Sequence, residues 1–135
     1  MVYASLQSAI ATKGGVVKPL VDPATNVASE TRTTHILYGD STGGGHLWPG
    51  GAGKTALPES WDANKVMNTI SDIATDPNLS WKAQTGSGGL YTKSGKPARF
   101  VVTDSSGNLP VVDGVPVKVV IEPAGEGIIT GFPQY

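Results

Sequence analysis

Two periods of apolar residues divide this chain, and together they limit the backbone structures it can use. In PESWDANKVMNTISDIATDPN, residues 58–78, the residues Trp61, Val66, Met67, Ile70, Ile73 and Ala74 recur at helical spacing. They form one apolar stripe that must pack on something. Ser60 is a candidate cap, Asp62 falls in the first turn, and Asp76-Pro77 stops the helix. From Arg99 onward the period is two. RFVVT (99–103), VPVKVVIE (115–122) and GIITGFP (127–133) read as strands, with Val115, Val117, Val119 and Ile121 on one face. The links DSSGNLPVVDG and PAGE are turn chemistry, and short links imply antiparallel neighbours. The expected class is α+β, with helices first and a twisted antiparallel sheet after them.

The 135 residues suit one domain, 1–135, with a modest core. Residues 3–12 (YASLQSAIAT) read as a short helix ended by Gly14-Gly15, and residues 16–34 as an irregular lead-in. No apolar run is long enough to span a bilayer. The stretch Ala4 to Ala11 lacks the positive lead and cleavage site of a signal peptide. There is no cysteine, which removes disulfides, thiol nucleophiles and thiolate-bound zinc. It also suits a domain that crosses between redox compartments. A net charge of −1 argues against a broad, non-specific nucleic-acid surface. Locally the balance differs: Pro77 to Thr103 has no Asp or Glu but carries Lys82, Lys93, Lys96 and Arg99, a candidate anion-binding strip.

Both histidines lie in THILYGDSTGGGHLWPGGAGKT, residues 34–55, which reads as a glycine-rich loop. Its Gly-Lys-Thr ending invites a nucleotide-binding reading. A phosphate loop of that kind needs G-x-x-x-x-G-K-[ST], and the first glycine would fall at Trp48, with no strand before it. The spacing rejects it. His35, Asp40 and His46 could supply two nitrogens and a carboxylate to a metal, but no HxxxH or HExxH spacing supports that. Two unrelated surface histidines are the plain alternative. An acid–base pair is the third reading. Imidazoles titrate near neutrality, so one can be neutral while the other is protonated.

The ordered set HILYGD…GGGH, GKTALPESW, ISDIATDP, GKPARF and VVIEPAGEGIITGFP, spanning His35 to Pro133, resembles the bacterial branch of the EndoU endoribonucleases. The resemblance implies helices packed on a curved antiparallel sheet, as in barnase/EndoU/colicin/RelE-type toxin domains. It implies cyclic-phosphate-forming RNA cleavage without metal or other cofactor. His46 would be the base on the ribose 2′-OH and His35 the acid for the 5′-oxygen. A third, cationic group falls in TKSGKPARF: Lys96 first, then Lys93, then Arg99. Thr130 and Phe132 match the family's closing Thr-x-Tyr-Pro, with Phe132 lacking the phenolic hydroxyl. Thr130 would bond phosphate or base, and Phe132 would stack on a base. Gly45 belongs to the backbone cradle for the phosphate, and Lys54-Thr55 to an anchor for the following helix. The implied context is a toxin tip of a secreted effector, including those of contact-dependent growth inhibition. It would act on RNA such as tRNA in a competitor's cytoplasm, as a monomer apart from a cognate immunity protein, with no membrane partner. The rival is a non-catalytic binding or structural module on the same scaffold.

Overall fold

The computed structural model describes residue 22, residues 24–85 and residues 89–135. The expected helix at 3–12 lies outside the described residues. Among the described residues two helices, α1 (Glu30–Leu37) and α2 (Ala63–Thr75), precede the strands β1 (Ser80–Ala83), β2 (Phe100–Thr103), β3 (Val111–Val112), β4 (Val115–Glu122) and β5 (Gly127–Pro133). The architecture is α+β: the two helices pack against a five-stranded antiparallel sheet.

The helix α2 follows the stripe read from the sequence, but its cap is Asp62, whose side chain accepts from Lys65 N, and not Ser60. Asp62 therefore precedes the first turn instead of lying in it. Val66, Met67 and Ile70 are buried against the sheet. Burial of each such side chain contributes about 1.5–3 kcal/mol. Ile70 packs where β5 has Gly131, since a Cβ at Gly131 would come within 2.6 Å of Ile70 Cδ1.

The strand β4 is the axis of the sheet. Val120 pairs with Val101 of β2 and with Thr130 of β5, so those two strands flank β4 on opposite edges. The strand β3 pairs with the start of β4 through Val111↔Pro116 and Val112↔Val115. Ala83, Phe100, Ile121 and Ile128 make one row across four strands, and Lys82, Val101, Val120 and Thr130 make the next. Adjacent rows point to opposite faces. Phe100, Ile121 and Ile128 of the first row join the core with Val115, Val117 and Val119, while Ala83 stays exposed at the sheet edge, and the second row lies on the opposite face. The partner of β4 skips from Thr130 to Ile128, leaving a bulge at Ile129 that bends β5.

Three expectations need correcting. Residues 30–37 form a helix, so neither an irregular lead-in to 34 nor a loop around His35 is correct. Ser29 caps α1 by accepting from Arg32 N, and Ile36 and Leu37 bury in the core. Tertiary burial overrides the weak helix propensity of a threonine-rich segment. Residues 80–83 form an edge strand, whereas the alternation in the sequence marks strands only from Arg99 onward. Finally, the strand expected from Arg99 begins at Phe100. The spans 115–122 and 127–133 are as read from the alternation.

Candidate active site

The last turn of a helix leaves carbonyl oxygens without intrahelical partners. In α1 those of His35, Ile36 and Leu37 accept hydrogen bonds from three successive amides, Gly45 N (2.9 Å), His46 N (2.8 Å) and Leu47 N (3.2 Å). The backbone of His46 is thereby fastened to the helical turn that carries His35. Glycines make the intervening turn possible. Gly39 ends α1 at φ 87°, and Gly44, at φ 81°, passes so close to His35 that a Cβ there would overlap its carbonyl oxygen.

Each imidazole is fixed through Nδ1. His46 Nδ1 donates to the Thr55 carbonyl oxygen at 2.7 Å. A carbonyl only accepts, so the proton of neutral His46 sits on Nδ1 and Nε2 keeps its lone pair. His35 Nδ1 lies 3.1 Å from Asp40 Oδ1. That oxygen also accepts from Thr42 Oγ1 at 2.6 Å and from Thr42 N at 2.8 Å. These bonds from Thr42, with a smaller contribution from His35, hold the Asp40 carboxyl down at about 2. The ionised carboxylate therefore orients His35 with Nδ1 protonated. Burial pushes the His46 pKa below its ordinary value, and the charges of Lys54 and His35 push it the same way against the Thr55 bond. His35 and His46 are only 8% and 7% exposed, so neither is a surface histidine.

The ring of His46 stacks on Phe132, with centroids 5.2 Å apart and planes at 25°. One face of Phe132 is thus occupied by the imidazole, and Lys118 Nζ lies 5.8 Å from the same ring centroid. Lys118 pairs with Phe132 across β4 and β5, two positions from the Val120–Thr130 pair, so Lys118, Thr130 and Phe132 share the face away from the core. The Thr130 hydroxyl makes no hydrogen bond among the described residues. Thr55 Oγ1 donates to Pro133 O at 3.2 Å, which ties the loop to β5 and not to α2.

The other candidates lie apart from the imidazoles. Lys96 and Arg99 line an open depression of about 380 Å³ together with Thr85, Thr92, Pro97 and Glu122. Arg99 Nε donates to Glu122 Oε2 at 3.1 Å. Lys93 is exposed on the turn before Lys96. Neither lysine side chain bonds a histidine among the described residues. Arg32 stands between the two regions: it forms a two-pronged pair with Glu126 and also feels the charges of Glu122 and Asp40, which together raise its pKa. The Gly45 amide is taken by His35, whereas the neighbouring Gly44 amide has no acceptor among the described residues.

Sequence reasoning weighed Asp40 only as a metal ligand and did not single out Lys118 as a site residue. The alternation in VPVKVVIE already put Lys118 opposite the core face, which was the available signal. Among the described residues no three His, Asp or Glu side chains converge as a metal site, and no helix is long and apolar enough to cross a membrane. Comparisons with protein-family models, curated proteins and solved structures return no match.

Proposed function

We propose that this chain is an EndoU-like endoribonuclease that cleaves RNA by attack of the ribose 2′-oxygen on the adjacent phosphorus. The observation that carries this reading is the pair of buried imidazoles, fastened to one helical turn, with each Nδ1 engaged by a fixed acceptor. Both Nε2 atoms are then left for proton transfer. His46, held toward its neutral form, takes the proton from the 2′-hydroxyl. His35, carried by Asp40, protonates the departing 5′-oxygen. The P–O2′ bond forms as the P–O5′ bond breaks, giving a 2′,3′-cyclic phosphate and a 5′-hydroxyl. The nucleophile belongs to the substrate, so no metal-bound hydroxide is required. Thr130 offers a hydroxyl that is unengaged among the described residues, on the face where Phe132 supports His46.

The sequence resemblance to the bacterial EndoU branch adds the context. The chain would serve as the toxic domain of a delivered effector, acting on RNA such as tRNA in the target cell's cytoplasm and held in check by an immunity protein. The decisive experiment incubates the protein with total bacterial RNA in EDTA and sequences the ends. Cyclic-phosphate ends are expected, with a loss of about 10²–10⁴-fold in His35→Ala and in His46→Ala. Intact RNA would mean a non-catalytic binding module on this scaffold, and unchanged cleavage by both variants would remove the two histidines from the chemistry.

A further inference from the structure

The resemblance puts the cationic group of the site near Lys96, but another lysine lies closer to the imidazoles. Lys54 Nζ is 3.5 Å from the point where a Cβ on Gly43 would be. It therefore rests against the glycine segment that joins Asp40 to His46, and the next glycine, Gly44, lies against His35 Cδ2 at a 3.1 Å Cβ distance. The backbone of Lys54 is held there by Lys54 N→Gly51 O at 3.0 Å and Gly51 N→Gly45 O at 2.8 Å. The ammonium has no carboxylate partner among the described residues, in contrast to Lys65 and Arg99. Burial is the main cause of the lowered basicity of His46, and the charge of Lys54 adds to it. Lys118 is engaged over Phe132, and Lys96 lines a depression that neither histidine borders. Beside Lys54, the Gly44 N–H is a second donor without an acceptor among the described residues.

We infer that Lys54 is the cation of this site, and that its ammonium binds a non-bridging oxygen of the phosphodiester held between His35 and His46. The inference rests on the proposed endoribonuclease reading for its substrate. Its anion-binding part stands on the geometry alone. An unpaired ammonium beside a scissile phosphate stabilises the charge that builds up on the phosphorane oxygens.

The test titrates inorganic phosphate into the full chain and follows the two imidazole signals by NMR. Both signals should move saturably, and Lys54→Met should weaken binding about tenfold or more, the worth of one charge-assisted hydrogen bond. Lys96→Met should leave the binding unchanged. Lys54 is exposed, so Lys54→Met should melt as the wild type does. On RNA, Lys54→Met should lower kcat/KM about 10²-fold, with partial recovery in Lys54→Arg. Imidazole signals that ignore phosphate, or equal phosphate binding by Lys54→Met, would overturn the inference. RNA cleavage by Lys54→Met at the wild-type rate would also overturn it, while leaving the nuclease reading intact. Lys54-dependent phosphate binding in a protein that cuts no RNA would instead keep the anion site and remove the nuclease.

Discussion

His46 Nδ1 lies 2.7 Å from the carbonyl oxygen of Thr55, and this contact decides which nitrogen of the ring can act as a base. The carbonyl has no proton to give. Neutral His46 must therefore carry its proton on Nδ1, and Nε2 is the basic atom. The same loop presents Thr55 Oγ1 to Pro133 O, so one residue fixes the imidazole to the end of β5. Phe132, one position earlier on β5, supports the ring from beneath.

A pH profile follows from the burial of that ring. The His46 pKa is pushed below the ordinary imidazole value, so the imidazole proposed as the base stays neutral into mildly acid solution. The acid limb of kcat/KM should fall below about 6.5, and an NMR titration of His46 should give the same midpoint. The sign for stability agrees. A histidine with a depressed folded pKa favours the fold above its unfolded value. As the pH falls through about 6.5, the unfolded chain takes up the proton first, and stability declines until the folded pKa is passed. A His46 that titrates at or above the free imidazole value would contradict the burial argument.

In the proposed reaction Asp40 is a positioning residue, holding His35 through Nδ1. Its carboxyl is held at about 2, so it remains an anion throughout the working range. Asp40→Asn keeps an acceptor near His35 Nδ1 but removes the charge, and Asp40→Ala removes both. The expected losses in kcat/KM are about 10-fold and about 10²-fold, both smaller than for His35→Ala. A merely structural role would lower the melting temperature and leave the alkaline limb of the pH profile in place. A shift of that limb in Asp40→Asn, with an unchanged melting curve, distinguishes positioning from folding.

How much of this was legible beforehand depends on the source of the signal. β4 and β5 were readable because Val115, Val117, Val119 and Ile121 alternate without interruption, and α2 because its stripe is long. The helix carrying His35 was not. ETRTTHIL offers only Ile36 and Leu37 as apolar residues, and contacts made by distant parts of the chain hold it in helical form. β1 was hidden because all four of its residues are exposed at a sheet edge. The two histidines could be nominated as a pair, but their meeting depends on three amides of residues 45–47 finding three open carbonyls of α1. Lys118 joins the face of Thr130 and Phe132 only through strand register, which local composition does not encode.

Gly44 offers a test of how the histidines are brought together. Its φ of 81° costs an L-residue roughly 1–3 kcal/mol, and its Cβ would also overlap the His35 carbonyl oxygen. Gly53, at φ 71°, has nothing within 4 Å of that position and bears only the backbone cost. Gly44→Ala should therefore lower the denaturation midpoint clearly more than Gly53→Ala, and it should cut activity even where the fold survives. Equal midpoints for the two variants would show that the close approach of Gly44 to His35 does not matter to the folded state.

The chemistry itself is tested on the substrate side. In the proposed reaction the nucleophile is the 2′-oxygen next to the scissile phosphate, and the protein contributes a base, an acid and positioning. Holding that oxygen in line makes the step effectively unimolecular. His46 Nε2 removes the 2′ proton, and His35 delivers one to the 5′-oxygen. An RNA with a single 2′-deoxy nucleotide on the 5′ side of the cut offers nothing for His46 to deprotonate. It should bind about as well as the natural strand, compete with it, and remain uncut. DNA should be inert. EDTA should leave the rate on ordinary RNA unchanged, because no step uses a metal-bound hydroxide. The measurement is single-turnover cleavage of matched ribo and deoxy oligonucleotides, with binding read separately by fluorescence anisotropy. Cleavage of the deoxy strand at a rate near that of the ribo strand would show that the nucleophile is a water, and the roles given to His35 and His46 would then have to be reassigned.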